Sequence, residues 1–95
     1  MHEKNVIEVP GASLEFVSYM VDGIEYIEFD SSASNPPEPM VNVMKGFELI
    51  SGTQKRLVMI NAQEPMPLYP RIATDFSWEV EVLDNGNVKI VFSNR

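Results

Sequence analysis

Ninety-five residues, 44% of them hydrophobic and 22% charged, make room for one domain with a modest core and argue against disorder or a coiled coil. The absence of cysteine, with a single histidine at His2 beside the terminus, excludes disulfide frameworks, thiolate nucleophiles, Cys/His zinc sites and an internally oriented Ser-His-Asp triad. The net charge of −7 belongs to residues 1 to 38, where eight acids face Lys4 alone, while residues 39 to 95 balance six acids with six bases.

A surface of that sign repels phosphate backbones, so neither nucleic acid nor an anionic membrane is an expected partner. The acids read first as a solvated face and second as a docking face for a basic partner. The first twenty residues, carrying Glu3, Lys4, Glu8 and Glu15, lack the apolar stretch of a secretory leader. The apolar run Leu57-Val58-Met59-Ile60 falls far short of a membrane span, and a soluble cytoplasmic protein is expected.

In chain order, the first strong signal is Val21-Asp22-Gly23-Ile24, an Asp-Gly pair between apolar residues that predicts a type I′ hairpin turn. Residues 24 to 30 are rich in β-formers and read as the strand that follows it. The segment from Leu14 to Val21 is either its partner strand or a helix with Leu14, Val17 and Val21 on one face; the turn chemistry favours the strand. After a Ser/Asn loop and Pro36-Pro37-Glu38-Pro39, the spacing of Met40, Val43, Met44, Phe47 and Ile50 predicts a helix with those residues as its core stripe and Asn42, Lys45 and Glu48 on other faces. Its expected end is Ser51-Gly52, and Gly46 inside it implies close packing, because glycine there costs about 1 kcal/mol relative to alanine.

Arg56 to Ile60 reads as a short buried strand. Pro65-Met66-Pro67-Leu68-Tyr69-Pro70 then leads a second, short helix starting around residue 67 and running to about Thr74. From Ser77 to Leu83 the alternation puts Trp78, Val80 and Val82 on one side and Glu79 and Glu81 on the other; Asp84 to Asn87 form a turn, and Val88 to Phe92 return as a strand. The order is β-α-β-α-β-β with an extra N-terminal strand, an α/β two-layer sandwich: residues 1–23 are an extension holding the added strand 14–21, and residues 24–95 are the domain proper.

The run Phe29-Asp30-Ser31-Ser32-Ala33-Ser34-Asn35-Pro36-Pro37-Glu38-Pro39-Met40 resembles the opening of the TusA/SirA sulfur carriers, in which a strand, an acidic residue and a short loop enter a Cys-Pro-x-Pro helix start. The likeness extends in layout over roughly residues 24 to 93. It is closer to a cysteine-less, uncharacterised SirA-like branch with a strand ending in Asn-Asp-His-Asp-Pro-x-Pro-Leu, matched here by Asn61-Ala62-Gln63-Glu64-Pro65-Met66-Pro67-Leu68, and with Phe76-Ser77-Trp78-Glu79 further on. The carrier's persulfide cysteine is replaced by Pro36, so the resemblance does not imply sulfur transfer. Ser32 and Gln63 replace the arginine and histidine of the related patterns. The resemblance also implies that the first two family strands are parallel, which places both proline-led helix starts at one sheet edge, where α/β proteins usually bind ligands.

Six prolines (Pro36, Pro37, Pro39, Pro65, Pro67 and Pro70) remove backbone donors from those helix starts, and Glu38 and Glu64 add negative charge, which argues against a phosphate cradle. The candidate ligand-binding residues are Asp30, Glu38, Asn61, Glu64 and Tyr69, shaped by Pro36, Pro37, Pro39, Pro65, Pro67 and Leu68. Glu38 and Glu64 read first as favourable charges at positive helix ends, and otherwise as ligands, with Asp30 and Asn61, for Mg²⁺ or Ca²⁺, or as acid/base groups. Asn61 reads first as a turn former, and Tyr69 and Trp78 as packing before ligand stacking. No resident cofactor and no catalytic residue is expected. The expected function is a non-enzymatic binding or regulatory domain acting on a small ligand or protein partner, with a module docking or dimerising through the acidic hairpin (Glu25, Glu28) as the alternative.

Overall fold

The computed structural model describes residues 3–95, and His2 lies outside them. Its elements are β1 (Asn5–Ile7), β2 (Phe16–Val21), β3 (Ile24–Asp30), α1 (Glu38–Ile50), β4 (Arg56–Asn61), a single 3-10 turn (Met66–Leu68) running into α2 (Tyr69–Ile72), β5 (Phe76–Val82) and β6 (Val88–Asn94). They build a six-stranded mixed sheet in the order β1-β2-β3-β4-β6-β5. Only β3 and β4 are parallel, joined by the α1 crossover that a parallel pair requires; every other pairing is antiparallel.

The Asp-Gly turn forms as its residues dictate: Asp22 and Gly23 both take positive φ (50° and 81°), and Val21 pairs with Ile24. The segment before it is therefore a strand, not a helix. β1 went unpredicted because three residues are too few to display alternation. It exists through its pairing with β2 and through Lys4, whose Nζ lies 3.6 Å from Glu28 Oε2 and 5.0 Å from the centre of the Tyr19 ring.

One face of the sheet carries the core. Phe16, Ile27, Phe29, Leu57, Met59, Ile90 and Phe92 pack beneath Val43, Phe47 and Ile50 of α1 and beneath Leu68 and Ile72. Phe47 bridges the layers, with its ring 4.5 Å from Phe76 and 4.9 Å from Phe92. On the same face Gly46 lets α1 approach β4, and a Cβ built at that position falls 2.5 Å from Leu57 Cδ1.

The core stripe expected of α1 holds only in part. Met44 is 37% exposed, and Asn42 is fully buried because residues 8 to 15 run along the flank of α1 and bring Val9, Ala12 and Leu14 against the core. Helical spacing marks the stripe that faces the sheet but cannot show that a second segment covers the adjoining flank. Trp78, Val80 and Val82 do share one side of β5, but Val80 and Val82 are 39% and 72% exposed. β5 is an edge strand whose first half is covered, Phe76 by Phe47 of α1 and Trp78 by Tyr69 of the short helical stretch.

The last strand also closes the first helix. Asn94 Nδ2 donates to the carbonyls of Ile50 (2.7 Å) and Thr53 (2.8 Å), and its Oδ1 accepts from the Gly52 N–H. These bonds tie the end of α1 and the turn after it to β6, so Asn94→Ala is expected to cost about 1–2 kcal/mol in urea unfolding. Amide exchange should accelerate selectively around residues 50 to 53; unchanged protection there would remove the capping role.

Candidate functional site

Parallel β3 and β4 deliver the chain to the same sheet edge, so the loops that lead into the two proline-rich helix starts lie side by side. Buried polar groups stitch them together. The Ser31 N–H donates to the Ile60 carbonyl at 2.8 Å, and the Ser31 hydroxyl lies 2.9 Å from Asn61 Oδ1 and 3.0 Å from the same carbonyl. Asn61 Nδ2 then donates to the Gln63 carbonyl at 2.9 Å, turning the chain toward Pro65. Asn61 thus serves as the turn former that its residue type suggests, while its side chain also borders the site described next.

Between the two helix starts is a cavity of about 280 Å³. Pro36, Pro37 and Pro39 line it from one side and Pro65 and Pro67 from the other. Met40, Val43, Met59 and Leu68 contribute apolar surface, and Val43, Met59 and Leu68 are buried to 1% exposure or less, so they close its base. Asn61, Gln63 and Glu64 supply the polar groups. An apolar hollow with a few polar groups is the ordinary make-up of a small-molecule site, and this volume lies near the lower end of the usual range.

Glu64 is held from behind. Tyr69 donates its hydroxyl to Glu64 Oε1 at 3.1 Å, and the Tyr69 ring stacks on Trp78 with centroids 4.3 Å apart and planes 11° from parallel. Burial, then the hydrogen bond to Glu64 and the charge of that carboxylate, push the Tyr69 phenol above its ordinary range, so it remains a donor in neutral solution. Tyr69 and Trp78 fix the carboxylate and do not line the cavity.

Asp30 and Glu38 lie elsewhere. Asp30 is exposed, and its Oδ1 accepts from the Ser32 N–H in an Asx-type turn. Glu38 turns to the N-terminal segment, where Oε2 accepts the Ser13 hydroxyl at 2.6 Å. The four-residue oxygen set considered for Mg²⁺ or Ca²⁺ is therefore not assembled, and no group of three or more Asp, Glu, His or Cys side chains able to hold a metal occurs among the described residues. Free backbone donors are scarce as well: the Glu38 N–H is bonded to Asn35, Met66 to Glu64 and Leu68 to Pro65, which leaves little for an anion.

No family model, curated protein or solved structure matches the chain.

The cavity also uses residues that motif reading passed over. Val43 and Met59 were legible as core, but their edges exposed to a hollow were not, because a periodic pattern reports the inward direction and not where packing stops short. Gln63 attracted notice only as a substitution, and Ser31 only as part of a loop. The pairing of a buried serine with an asparagine one strand away has no signature in a single sequence. No helix among the described residues is long and apolar enough to cross a membrane.

Proposed function

We propose that this chain is a non-enzymatic, SirA-like binding or regulatory domain that holds a small, largely apolar ligand in the cavity between its two proline-led helix starts. The observation that carries this reading is the cavity itself: an apolar hollow at the carboxyl ends of two parallel strands, with polar groups confined to one stretch of its wall. The parallel strands and the shared edge agree with what the TusA/SirA resemblance implies. Pro36, at the position of the carrier's cysteine, borders this cavity and offers it a ring without a nucleophile. Docking through the acidic hairpin has less support, because Glu25 already accepts from Ser18 and lies 3.4 Å from Lys55, while Glu28 holds Tyr19 and Lys4.

Titration with phenethyl alcohol, followed by backbone amide shifts, tests the reading. Shifts are expected to concentrate at Val43, Met59, Gln63 and Leu68. Met40→Trp, which grows an indole from the half-buried first turn of α1 into the hollow, is expected to keep the fold and reduce those shifts at least about fivefold, since the apolar volume is then occupied. Shifts scattered over the surface, or unchanged binding by a folded Met40→Trp variant, would overturn it.

A further inference from the structure

Among the described residues, Glu64 is the single charged one lining the cavity. Among the described residues no lysine or arginine forms an ion pair with it, although Lys4, Lys45 and Lys55 each pair with another glutamate. Its carboxylate is not loose: Oε1 is tied to the Tyr69 hydroxyl, and that ring is braced on Trp78. An orienting bond on one oxygen leaves the other available to a donor inside a mostly apolar hollow. A charge-assisted bond formed there is shorter and about twice as strong as a neutral one.

The surroundings decide the sign and hardness of the guest. Prolines at both helix starts and the internal bonds of Glu38, Met66 and Leu68 leave the cavity few of the backbone N–H donors with which helix starts hold anions. A hard metal ion would require further carboxylates, and Asp30 and Glu38 are directed elsewhere. The chain's net charge of −7 favours a cation at longer range. Apolar walls and one braced carboxylate together suit an organic cation with a compact hydrocarbon body. A primary ammonium has three donors, one for Glu64 and another for the side-chain amide oxygen of Gln63 on the same stretch of wall.

Building on the binding reading above, we infer that the ligand class of this cavity is the small primary amine with an apolar body, its ammonium on Glu64 and its hydrocarbon part against Val43, Met59, Leu68 and the facing prolines. Three probes of one shape and different charge test this by amide-shift titration at neutral pH: phenethylamine, phenethyl alcohol and phenylacetate. Phenethylamine is expected to bind about tenfold more tightly than the alcohol, with phenylacetate weakest. Glu64→Gln is expected to bring the amine down to about the affinity of the alcohol, with a much smaller effect on the alcohol. If Glu64→Gln does not fold, raising the salt concentration on the wild-type protein should narrow the gap between amine and alcohol, because exposed charge pairs are screened. Equal affinities for amine and alcohol would overturn the amine assignment and leave the binding reading standing. Equal weakening of all three probes by Glu64→Gln would make Glu64 a support for the wall and overturn the assignment too. Failure of every probe to reach the cavity would overturn the binding reading together with the inference.

Discussion

Asn42→Leu is expected to lower stability by about 2–4 kcal/mol in urea unfolding, since it keeps side-chain volume but abandons two backbone N–H groups and a hydroxyl partner. Asn42 is fully buried in the middle of α1. Its Oδ1 accepts from the N–H groups of Ser13 (3.0 Å) and Leu14 (3.1 Å), while Nδ2 donates to the Ser13 hydroxyl (2.9 Å) and the Glu38 carbonyl (2.8 Å). Three of these four bonds fasten residues 8 to 15 to the helix flank, and the fourth stays within α1. Glu38 adds a carboxylate to the same hydroxyl, so the clamp and the first turn of α1 share partners. The substitution should also release the segment locally, with amide exchange at Ser13 and Leu14 rising more than in the core strands. A stability change below about 0.5 kcal/mol, the size typical of surface substitutions, would show that the amide is not what holds the segment. Asn42→Asp retains both acceptor contacts to N–H groups but loses the donors to the Ser13 hydroxyl and the Glu38 carbonyl and turns a buried carboxylate oxygen toward that carbonyl, so it too should be strongly destabilised at neutral pH.

The second large effect is expected at Gly46. Alanine in a helix interior is ordinarily better than glycine by about 1 kcal/mol, so the naive expectation for Gly46→Ala is stabilisation. The fold reverses that sign. The added Cβ would stand 2.5 and 2.7 Å from the two methyls of Leu57 and 3.2 Å from its Cγ, and Leu57 is itself fully buried on the central strand β4. Overpacking of this kind costs about 1–3 kcal/mol, and a net loss of stability follows. Leu57→Ala alone should cost about 2–5 kcal/mol through the void it leaves. The double variant should lose less than the combined single losses, because the new methyl enters the space that Leu57 vacated; a coupling of about 1 kcal/mol or more between contacting residues is expected. Additive losses would mean that α1 and β4 move apart instead of packing through that contact.

These two positions also show how much could be read in advance. A glycine inside an otherwise regular helical stripe pointed to close approach, and Gly46 on Leu57 is that approach. Asn42 gave a fainter signal: asparagine is a poor helix former, and one flanked by Val41 and Val43 already asks for a reason. Spacing placed it off the sheet-facing stripe, and the reason, the N-terminal segment, was not legible because residues 8 to 15 have no period of their own. The site divides in the same way. Asn61 and Glu64 border the cavity and Tyr69 braces Glu64 from outside it, whereas Asp30 and Glu38, near them in the motif, are spent on local turns and on the N-terminal clamp.

Local chemistry was enough to set the Asp22-Gly23 hairpin, the start of α1 among prolines, and the presence of the strands that became β3, β4 and β6, because each depends on neighbours within a few residues or on a period of two or 3.6. It was likewise enough to remove thiol chemistry, because the sequence contains no cysteine. Tertiary structure alone decided that β1 exists, that Asn42 is interior, that Val80 and Val82 are exposed, and that five prolines enclose a hollow beside one braced carboxylate. Each of those outcomes depends on what another segment covers or leaves open, and burial is a relation between distant parts of a chain that no local pattern records.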